Sequence, residues 1–300
     1  MESGIVECVP NFSEGRDRAK VDRIAQAIAG RDDVTILGQT MDADHHRSVI
    51  TFAGPPDAVL EAAFRGVAEA SRIIDLNSHA GVHPRIGAAD VVPFVPVQDI
   101  AMADSVAMAE ELGLRLWHEL GIPVYLYEAA ARIPERKRLE NVRRGQFEGL
   151  RSTPDQTRWP DIGGPEFHPT AGATVVGARE FLIAYNINLN TENLEIAKAI
   201  ARTIRASSGG LPYVKALGLP LLSRRQTQVS MNITDFKRMP VHVVFEAVRE
   251  QAELHGVSIA GSEIIGLVPK AVLEMAAAHC LQVENFSPEL VLENRLRTLK

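Results

Sequence analysis

The apolar periods of this chain run strand, helix, strand, strand, helix, strand, and then run through the same order again. Residues 5–9 read as a short buried strand. Val21, Ile24, Ala25 and Ile28 then recur at helical spacing behind a plausible N-cap, Asp17. Residues 34–37 and 48–53 read as strands, with a polar loop, residues 40–47, between them. Val59, Leu60, Ala63, Phe64, Val67 and Ile74 mark one face of a second helix, and residues 91–97 form a fourth strand. This β-α-β-β-α-β order is the ferredoxin-like arrangement, an antiparallel sheet with both helices on one face. Pro93 and Pro96 put residues 91–97 at a sheet edge, because proline cannot donate to a ladder.

The second half gives the same order. Phe181, Ile183, Tyr185, Ile187 and Leu189 alternate as in a strand, and Val229, Met231 and Ile233 do so again. Between the halves lie a helix over 99–120, a strand over 122–127 and a Pro/Gly-rich stretch, 151–170, that includes Pro154. A long irregular stretch inside a compact chain points to a functional loop or a linker. The expectation is an α+β chain of two ferredoxin-like (βαββαβ) subdomains, residues 1–178 and 179–300. Both sheets are expected to be antiparallel with helices on one face, and a ligand groove is expected between the units.

The chemistry concentrates in residues 77–97, NSHAGVHPRIGAADVVPFVPV. His79 and His83 stand four apart, but Gly81 and Pro84 argue for a shaped loop instead of a helix. A histidine takes and gives a proton near neutrality, so either could be a general base, or both could be hydrogen-bonded loop residues. The spacing is not that of a helical zinc site, and no metal is expected. Asp42, Asp44, His45 and His46 form a second polar cluster that reads as a solvated turn between strands. Asn11, Ser13 and Glu14 leave the first strand, and either cap the following helix or face a substrate. Residues 163–172, GGPEFHPTAG, could let a ligand approach the backbone, with the Phe167 ring and His168 suiting a flat one, or could be a plain linker.

Composition narrows the classes. A net charge of -6 and 5% aromatic residues argue against nucleic-acid binding. Two cysteines make neither a disulfide framework nor a zinc cluster. Without a signal peptide or a long apolar run, a cytoplasmic protein is expected, with no membrane partner. Nucleotide fingerprints and the GxSxG nucleophile motif are absent.

Seven stretches resemble the glutamate formimidoyltransferase family, the formiminotransferase domain of formiminotransferase-cyclodeaminases. They are ECVPNFSEG, HRSVITFAG, HAGVHPRIGAADVVPFVPV, GIPVYLYEAA, GATVVGAREFLIAYNINL, VSMNITDF and GSEIIGLVP, in order along nearly the whole chain. The resemblance implies two ferredoxin-like subdomains in a homodimer. It implies transfer of a formimino group from N-formimino-L-glutamate to N5 of the co-substrate tetrahydrofolate, in histidine breakdown. It makes His83 the catalytic residue. It assigns folate binding to Gly163, Gly164, Pro165, Glu166, Phe167, His168, Pro169, Thr170, Ala171 and Gly172. Both substrates carry carboxylates, so Asn11, Ser13, Arg47, His79, Arg85 and Lys215 are candidates for binding them. Animal members carry Glu where Val82 stands and an acid where Thr40 stands, which bears on substrate choice. They are also fused to a cyclodeaminase, which is expected here as a separate pathway partner. Two alternatives stay open: formyl transfer, which differs by one atom, and a non-catalytic folate or amino-acid binding module.

Overall fold

The computed structural model describes residues 4–30, 32–152, 155–283 and 286–292; Pro154 and the two ends of the expected ranges 1–178 and 179–300 lie outside them. The chain divides into two compact units, Met1–Glu180 and Phe181–Lys300. Among the described residues, no helix is long and apolar enough to cross a membrane.

The first unit opens with β1 (Ile5–Cys8), β2 (Asn11–Phe12), α1 (Arg18–Ile28), β3 (Thr35–Asp42), β4 (Arg47–Gly54), α2 (Pro56–Ile73) and β5 (Ala89–Gln98). β1 lies between β4 and β5, and β3 pairs with β4, all antiparallel. This is the ferredoxin-like order. β3 runs to Asp42, further than its apolar residues indicate, so Thr40 is part of the ladder opposite Val49 and not of a loop. Asp17 caps α1 as expected, its carboxylate accepting from the backbone N–H groups of Ala19 and Lys20.

The sheet then continues with α3 (Met102–Leu120), β6 (Val124–Glu128), the short helices α4 (Leu139–Val142) and α5 (Gln146–Leu150), and β7 (Thr174–Ala178). β7 inserts between β5 and β6 and runs parallel to both. Two expectations are corrected here. The sheet is mixed and not purely antiparallel, because helical crossovers return the chain in its original direction. Residues 91–94 are interior, since Val91 to Phe94 pair with β7 on the side away from β1 and β2, whereas residues 95–97, with Pro96, extend past that ladder and keep the expected edge character. The expected single helical face is also corrected over this extension. Helices α1, α2 and α3 share one core, through Ile24, Val67 and Leu112 among others. On the opposite face Val91, Tyr125, Tyr127 and Val175 pack with Val142 and Leu150 of α4 and α5. Parallel strands are normally covered on both faces, as these are.

How an interior strand accommodates Pro93 explains the gap between β1 and β2. Cys8 opposes Phe94 and Asn11 opposes Val91, so Val9 opposes Pro93. The Val9 N–H donates to the Pro93 carbonyl at 3.3 Å, but Pro93 has no N–H to return. Pro10 does the same toward β4, accepting from the Ile50 N–H at 3.2 Å and giving nothing back. One strand is thus broken into two short pieces by two missing donors. The Val9 carbonyl is rescued by the Asn11 side chain, whose Nδ2 donates to it at 2.9 Å.

The second unit contains β8 (Ile183–Leu189), α6 (Leu194–Ile204), β9 (Val214–Leu221), β10 (Gln226–Ile233), α7 (Val241–Leu254), β11 (Ile259–Ile265) and α8 (Lys270–Cys280). Its strand order is β11-β8-β10-β9, antiparallel throughout, as the sequence order requires. Tyr185, Ile187, Val229 and Met231 pack against Ile200 of α6 and Val244 and Val248 of α7. On the other face of the strands Gln228 Nε2 donates to Asn188 Oδ1 at 2.9 Å and to Glu263 Oε1 at 3.0 Å. Alternation by two explains the split between apolar and polar faces.

The rescue of the Val9 carbonyl makes a double-mutant cycle informative. Asn11→Ala is expected to cost about 1–3 kcal/mol, the penalty for an orphaned buried acceptor. Adding Pro93→Ala supplies a backbone N–H to the same carbonyl and is expected to recover part of that loss. Urea midpoints at unchanged m-value test this; strictly additive effects would show that the two donors do not compete.

Candidate active site

Arg47 begins β4 and is the hub of the polar cluster. Its Nε donates to Asn11 Oδ1 at 2.8 Å, and Nη2 contacts the same oxygen. Asn11 can play both parts only in one orientation: Nδ2 toward the Val9 carbonyl and Oδ1 toward Arg47. Nη1 of Arg47 lies 2.6 Å from His83 Nε2 and 2.7 Å from His83 Nδ1. His83 Nδ1 is also 2.8 Å from the Pro84 carbonyl oxygen, which can only accept. Nδ1 therefore carries the hydrogen and Nε2 keeps a lone pair, while Arg47 Nη1, equally close to both ring nitrogens, crowds the ring without lying along that lone pair. Burial first, and then the charges of Arg47 and Arg143, hold the imidazole well below its ordinary 6.5. His83 is a neutral base at pH 7.

Asp90 sits at the start of β5 and is 2% exposed. Its Oδ1 accepts from the Ile86 N–H at 2.8 Å, while Oδ2 accepts from Arg143 Nη2 and lies 4.0 Å from Arg47 Nη1. Two guanidinium groups thus share one buried carboxylate. Burial, followed by the charge of Arg143, pushes Arg47 down to about 9. It stays protonated at neutral pH, and the direction marks a cation short of negative charge.

His79 has a different task. Arg85 Nε donates to its Nδ1 at 3.1 Å, and its Nε2 donates to the His46 carbonyl at 3.0 Å. Both ring nitrogens are used, so His79 fastens the loop to the β3–β4 turn. Arg85 is buried and forks onto Glu148 with contacts of 2.8 and 2.7 Å. That pairing pulls Glu148 down to about 2. His46 stacks on His79 with ring centroids 4.1 Å apart. Its Nδ1 faces the Ala80 carbonyl at 3.0 Å and its Nε2 faces Glu14 Oε1 at 3.1 Å. Glu14 Oε1 also accepts from the N–H groups of Arg16 and Asp17, tying this histidine to the start of α1. Gly81 lets the two loops close: a Cβ there would meet the His45 carbonyl oxygen at 2.7 Å. Ser13 is buried, its hydroxyl donating to the Gly87 carbonyl at 2.7 Å. His45 Nδ1 pairs with Asp42 at 2.8 Å across the β3–β4 turn, but the His45 and His46 side chains are only 12% exposed, so the second polar cluster is not the solvated turn expected of it.

Asn11, Ser13, Arg47, His79, His83 and Arg85 are therefore neighbours. All but Asn11 line a cavity of about 10 Å³ with Phe12, His45, His46 and Asp90, room for roughly one water molecule. Lys215 lies on β9 of the second unit, opposite Asn232.

The stretch from Gly163 to Gly172 meets this cluster at one end. The Thr170 carbonyl accepts from the Leu76 N–H and the Ala171 carbonyl from the Ala88 N–H. Asn77 Nδ2 donates to the Pro169 carbonyl. His168 and Gly172 exchange two backbone bonds, and His168 Nδ1 accepts from the Ala171 N–H at 3.0 Å. Gly172 has φ +73, and a Cβ there would meet the Ile86 carbonyl oxygen at 2.2 Å. Gly163 packs on the Trp117 ring, Gly164 is half-buried, and Pro165 and Glu166 are exposed. The Phe167 ring is half-buried and lies beside Tyr125 and Phe147, with ring centroids 6.3 and 6.5 Å away.

Residues 5–179 match the family described as the formiminotransferase domain, N-terminal subdomain. Residues 184–297 match the formiminotransferase domain. The chain belongs to the formiminotransferase family. Among relatives, the glutamate formimidoyltransferase of Thermoplasma acidophilum is 48% identical, with 97% of each chain covered. That of Streptococcus pyogenes is 46% identical over 97% of this chain and 98% of the relative. The formimidoyltransferase-cyclodeaminase of Rattus norvegicus is 41% identical over 98% of this chain and 56% of its own length.

Sequence reasoning missed Asp90, Arg143 and Glu148. A lone acid inside the apolar run of residues 88–95 is a usable signal for Asp90, since buried acids are rare unless paired. Arg143 and Glu148 carry no such signal in a charged, partly helical stretch. Val82 is 41% exposed beside His83.

His79 and His83 are both held below the unfolded value of 6.5. The unfolded chain then binds more protons as pH falls through that value, so their contribution to stability is full above it and is lost as pH falls toward the folded values. His83→Gln is expected to flatten the rise in urea midpoint between about pH 5 and pH 7.5; an unchanged slope would place His83 as charged in the fold.

Proposed function

We propose that this chain is a glutamate formimidoyltransferase. It moves the formimino group of N-formimino-L-glutamate to N5 of tetrahydrofolate, giving 5-formiminotetrahydrofolate and L-glutamate. The observation that carries the chemistry is the 2.8 Å contact of His83 Nδ1 with the Pro84 carbonyl oxygen, an acceptor that places the hydrogen on Nδ1 and leaves Nε2 as the basic nitrogen. The near full-length likeness to two glutamate formimidoyltransferases supports the substrates.

N5 attacks the sp² formimino carbon and a tetrahedral intermediate forms. The attacking nitrogen then bears an extra proton, and the departing glutamate nitrogen needs one. Nε2 of His83 accepts the first and returns it to the second, while the Pro84 carbonyl keeps Nδ1–H oriented throughout. Protons balance without an outside acid or base. Asp90 is too tightly held by the Ile86 N–H and Arg143 to act as the shuttle. His79, with both nitrogens engaged, positions the loop. Bringing the two substrates into attack geometry supplies a further large part of the rate. Folate is assigned to residues 163–172, whose backbone is laced to the segment following His83. A cyclodeaminase acting on the product is the proposed pathway partner, the activity joined to this domain in the name of the rat relative.

His83→Ala is expected to lower kcat by about 10²–10⁴-fold with an unchanged circular dichroism spectrum. The pH profile of kcat/KM should show no loss of rate between pH 8 and about pH 6.5, where free His83 stays neutral. Unchanged turnover in the variant would remove His83 from the mechanism. A clear rate preference for N-formyl- over N-formimino-glutamate would replace the donor by its formyl counterpart.

A further inference from the structure

Away from the histidine cluster, the first unit holds a second cavity, of about 970 Å³, beside α4. That is room for a small organic molecule, where the cavity at His83 takes about one water. The two share no lining residue.

The floor of this cavity is built from groups that satisfy one another. Arg136 is buried, pairs with Asp161, and donates to the Thr157 carbonyl at 3.2 Å and to the Trp159 carbonyl. Its guanidinium lies 5.2 Å over the Tyr125 ring. The other Asp161 oxygen accepts from the Leu126 N–H at 2.8 Å, and the Tyr125 hydroxyl donates to the Arg158 carbonyl at 2.7 Å.

The wall holds groups that are not so matched. Arg144 Nη2 donates to the Asn141 amide oxygen at 3.3 Å, and Arg158 Nη2 donates to the Arg144 carbonyl. Neither acceptor is charged, and each guanidinium has further N–H donors to give. Trp159 Nε1 is buried and meets no acceptor among the described residues. An idle buried donor is costly until an acceptor reaches it. Ile133, Val142 and Pro160 complete the wall with apolar surface. Two acids limit the charge that the wall welcomes. Glu135 is exposed, and Asp155, its carboxylate held by the Thr157 N–H and hydroxyl, faces Arg158. Guanidinium forks suit a carboxylate or a phosphate alike. The acids favour the singly charged carboxylate over the phosphate dianion.

We infer that this cavity binds an aromatic carboxylate, its ring against Trp159, Ile133 and Val142 and its charge on Arg144 and Arg158. Two sources offer that chemistry. One is the p-aminobenzoylglutamate half of tetrahydrofolate, a source that rests on the reaction proposed above; the other is a free aromatic acid. Continuity with the histidine cluster favours the first. Arg143 ends α4 and reaches Asp90, while its neighbours Val142 and Arg144 line the cavity. Phe167, from the stretch assigned to folate, meets the Tyr125 ring edge-on at 6.3 Å.

The full chain is titrated by calorimetry with p-aminobenzoyl-L-glutamate, benzoate and phenyl phosphate, and tryptophan emission is followed in parallel. Both carboxylates are expected to bind and to change the emission, and the change should vanish in Trp159→Phe. That variant keeps a ring and loses the N–H, so Kd should rise about 3- to 10-fold. Arg144 is exposed, so Arg144→Ala should keep the circular dichroism spectrum while Kd rises about 10-fold. Displacement of p-aminobenzoyl-L-glutamate by tetrahydrofolate assigns the cavity to the co-substrate. Arg144→Ala should then raise KM for tetrahydrofolate about 10-fold, with kcat and the KM for N-formimino-L-glutamate unchanged. Probe and tetrahydrofolate bound together assign the cavity to a free aromatic acid.

No binding of either carboxylate at millimolar concentration overturns the site. So does equal Kd in the wild type and in Arg144→Ala. Phenyl phosphate binding more tightly than benzoate overturns the choice of carboxylate. The reaction stands or falls separately. Probe binding that weakens as expected, without turnover of N-formimino-L-glutamate with tetrahydrofolate, rejects the reaction and keeps the site. Normal turnover without probe binding rejects the site and keeps the reaction.

Discussion

A proline has no hydrogen to give, and at Pro93 that lack leaves the Val9 carbonyl without its ladder partner in the middle of a sheet. Everything in the site hangs from the repair. The Asn11 side chain reaches back along its own strand to supply the missing donor. Doing so fixes its carboxamide, with Oδ1 aimed at Arg47, and Arg47 in turn is held against His83. An Asn without a backbone carbonyl to satisfy could rotate, and Arg47 would lose its fixed anchor. Backbone hydrogen-bond accounting and catalytic geometry are here the same problem.

That chain of contacts also settles which nitrogen of His83 can work. The Pro84 carbonyl is adjacent in sequence and so cannot drift away, and it claims Nδ1. Burial first, and then the cationic neighbours, do what a carboxylate partner would undo: they keep the ring neutral. An Asp in place of Arg47 would raise the histidine's proton affinity and spoil it as a base at pH 7. Asp90, the acid closest to this arrangement, is turned to the Ile86 N–H and the arginines instead. It holds the two cations without neutralising both.

Much of this was legible in the sequence, and the limits have physical causes. The ferredoxin-like order of both units follows from periodicity, because helices and half-buried strands leave different repeats. Strand β7 did not stand out, since five residues buried on both faces leave no alternation to read. Its insertion is what moved residues 91–94 from the edge to the interior. Pro93, one of the two prolines that argued for an edge, is accommodated by a broken β1–β2 strand and an Asn side chain, a tertiary remedy that no local rule anticipates. His83, Arg47 and Asn11 could be named one at a time, as polar residues leaving strand ends or lying in a glycine loop. That they touch depends on the β3–β4 turn closing on residues 79–85, which Gly81 permits. Arg143 was invisible because an arginine in a charged helical stretch reads as solvated until the fold brings it to Asp90.

Arg47 and His45, which contact His83, belong like it to the unit Met1–Glu180. In the second unit the sheet face away from its core carries the amides and carboxylate Asn186, Asn188, Gln228 and Glu263 beside Lys215 and Leu217 of β9. Among the described residues, Gln228 Oε1 on that face is buried without a donor. Amides and carboxylates read hydrogen-bond patterns on a ligand; they do not shuttle protons at neutral pH. The two units therefore differ in chemistry although they share a topology. A common strand order gives both a sheet face to work with, and the alternation of side chains along β5 and β10 decides what that face presents. In the first unit a proline break and a pair of cations convert the end of the sheet into a place where a neutral imidazole is held ready.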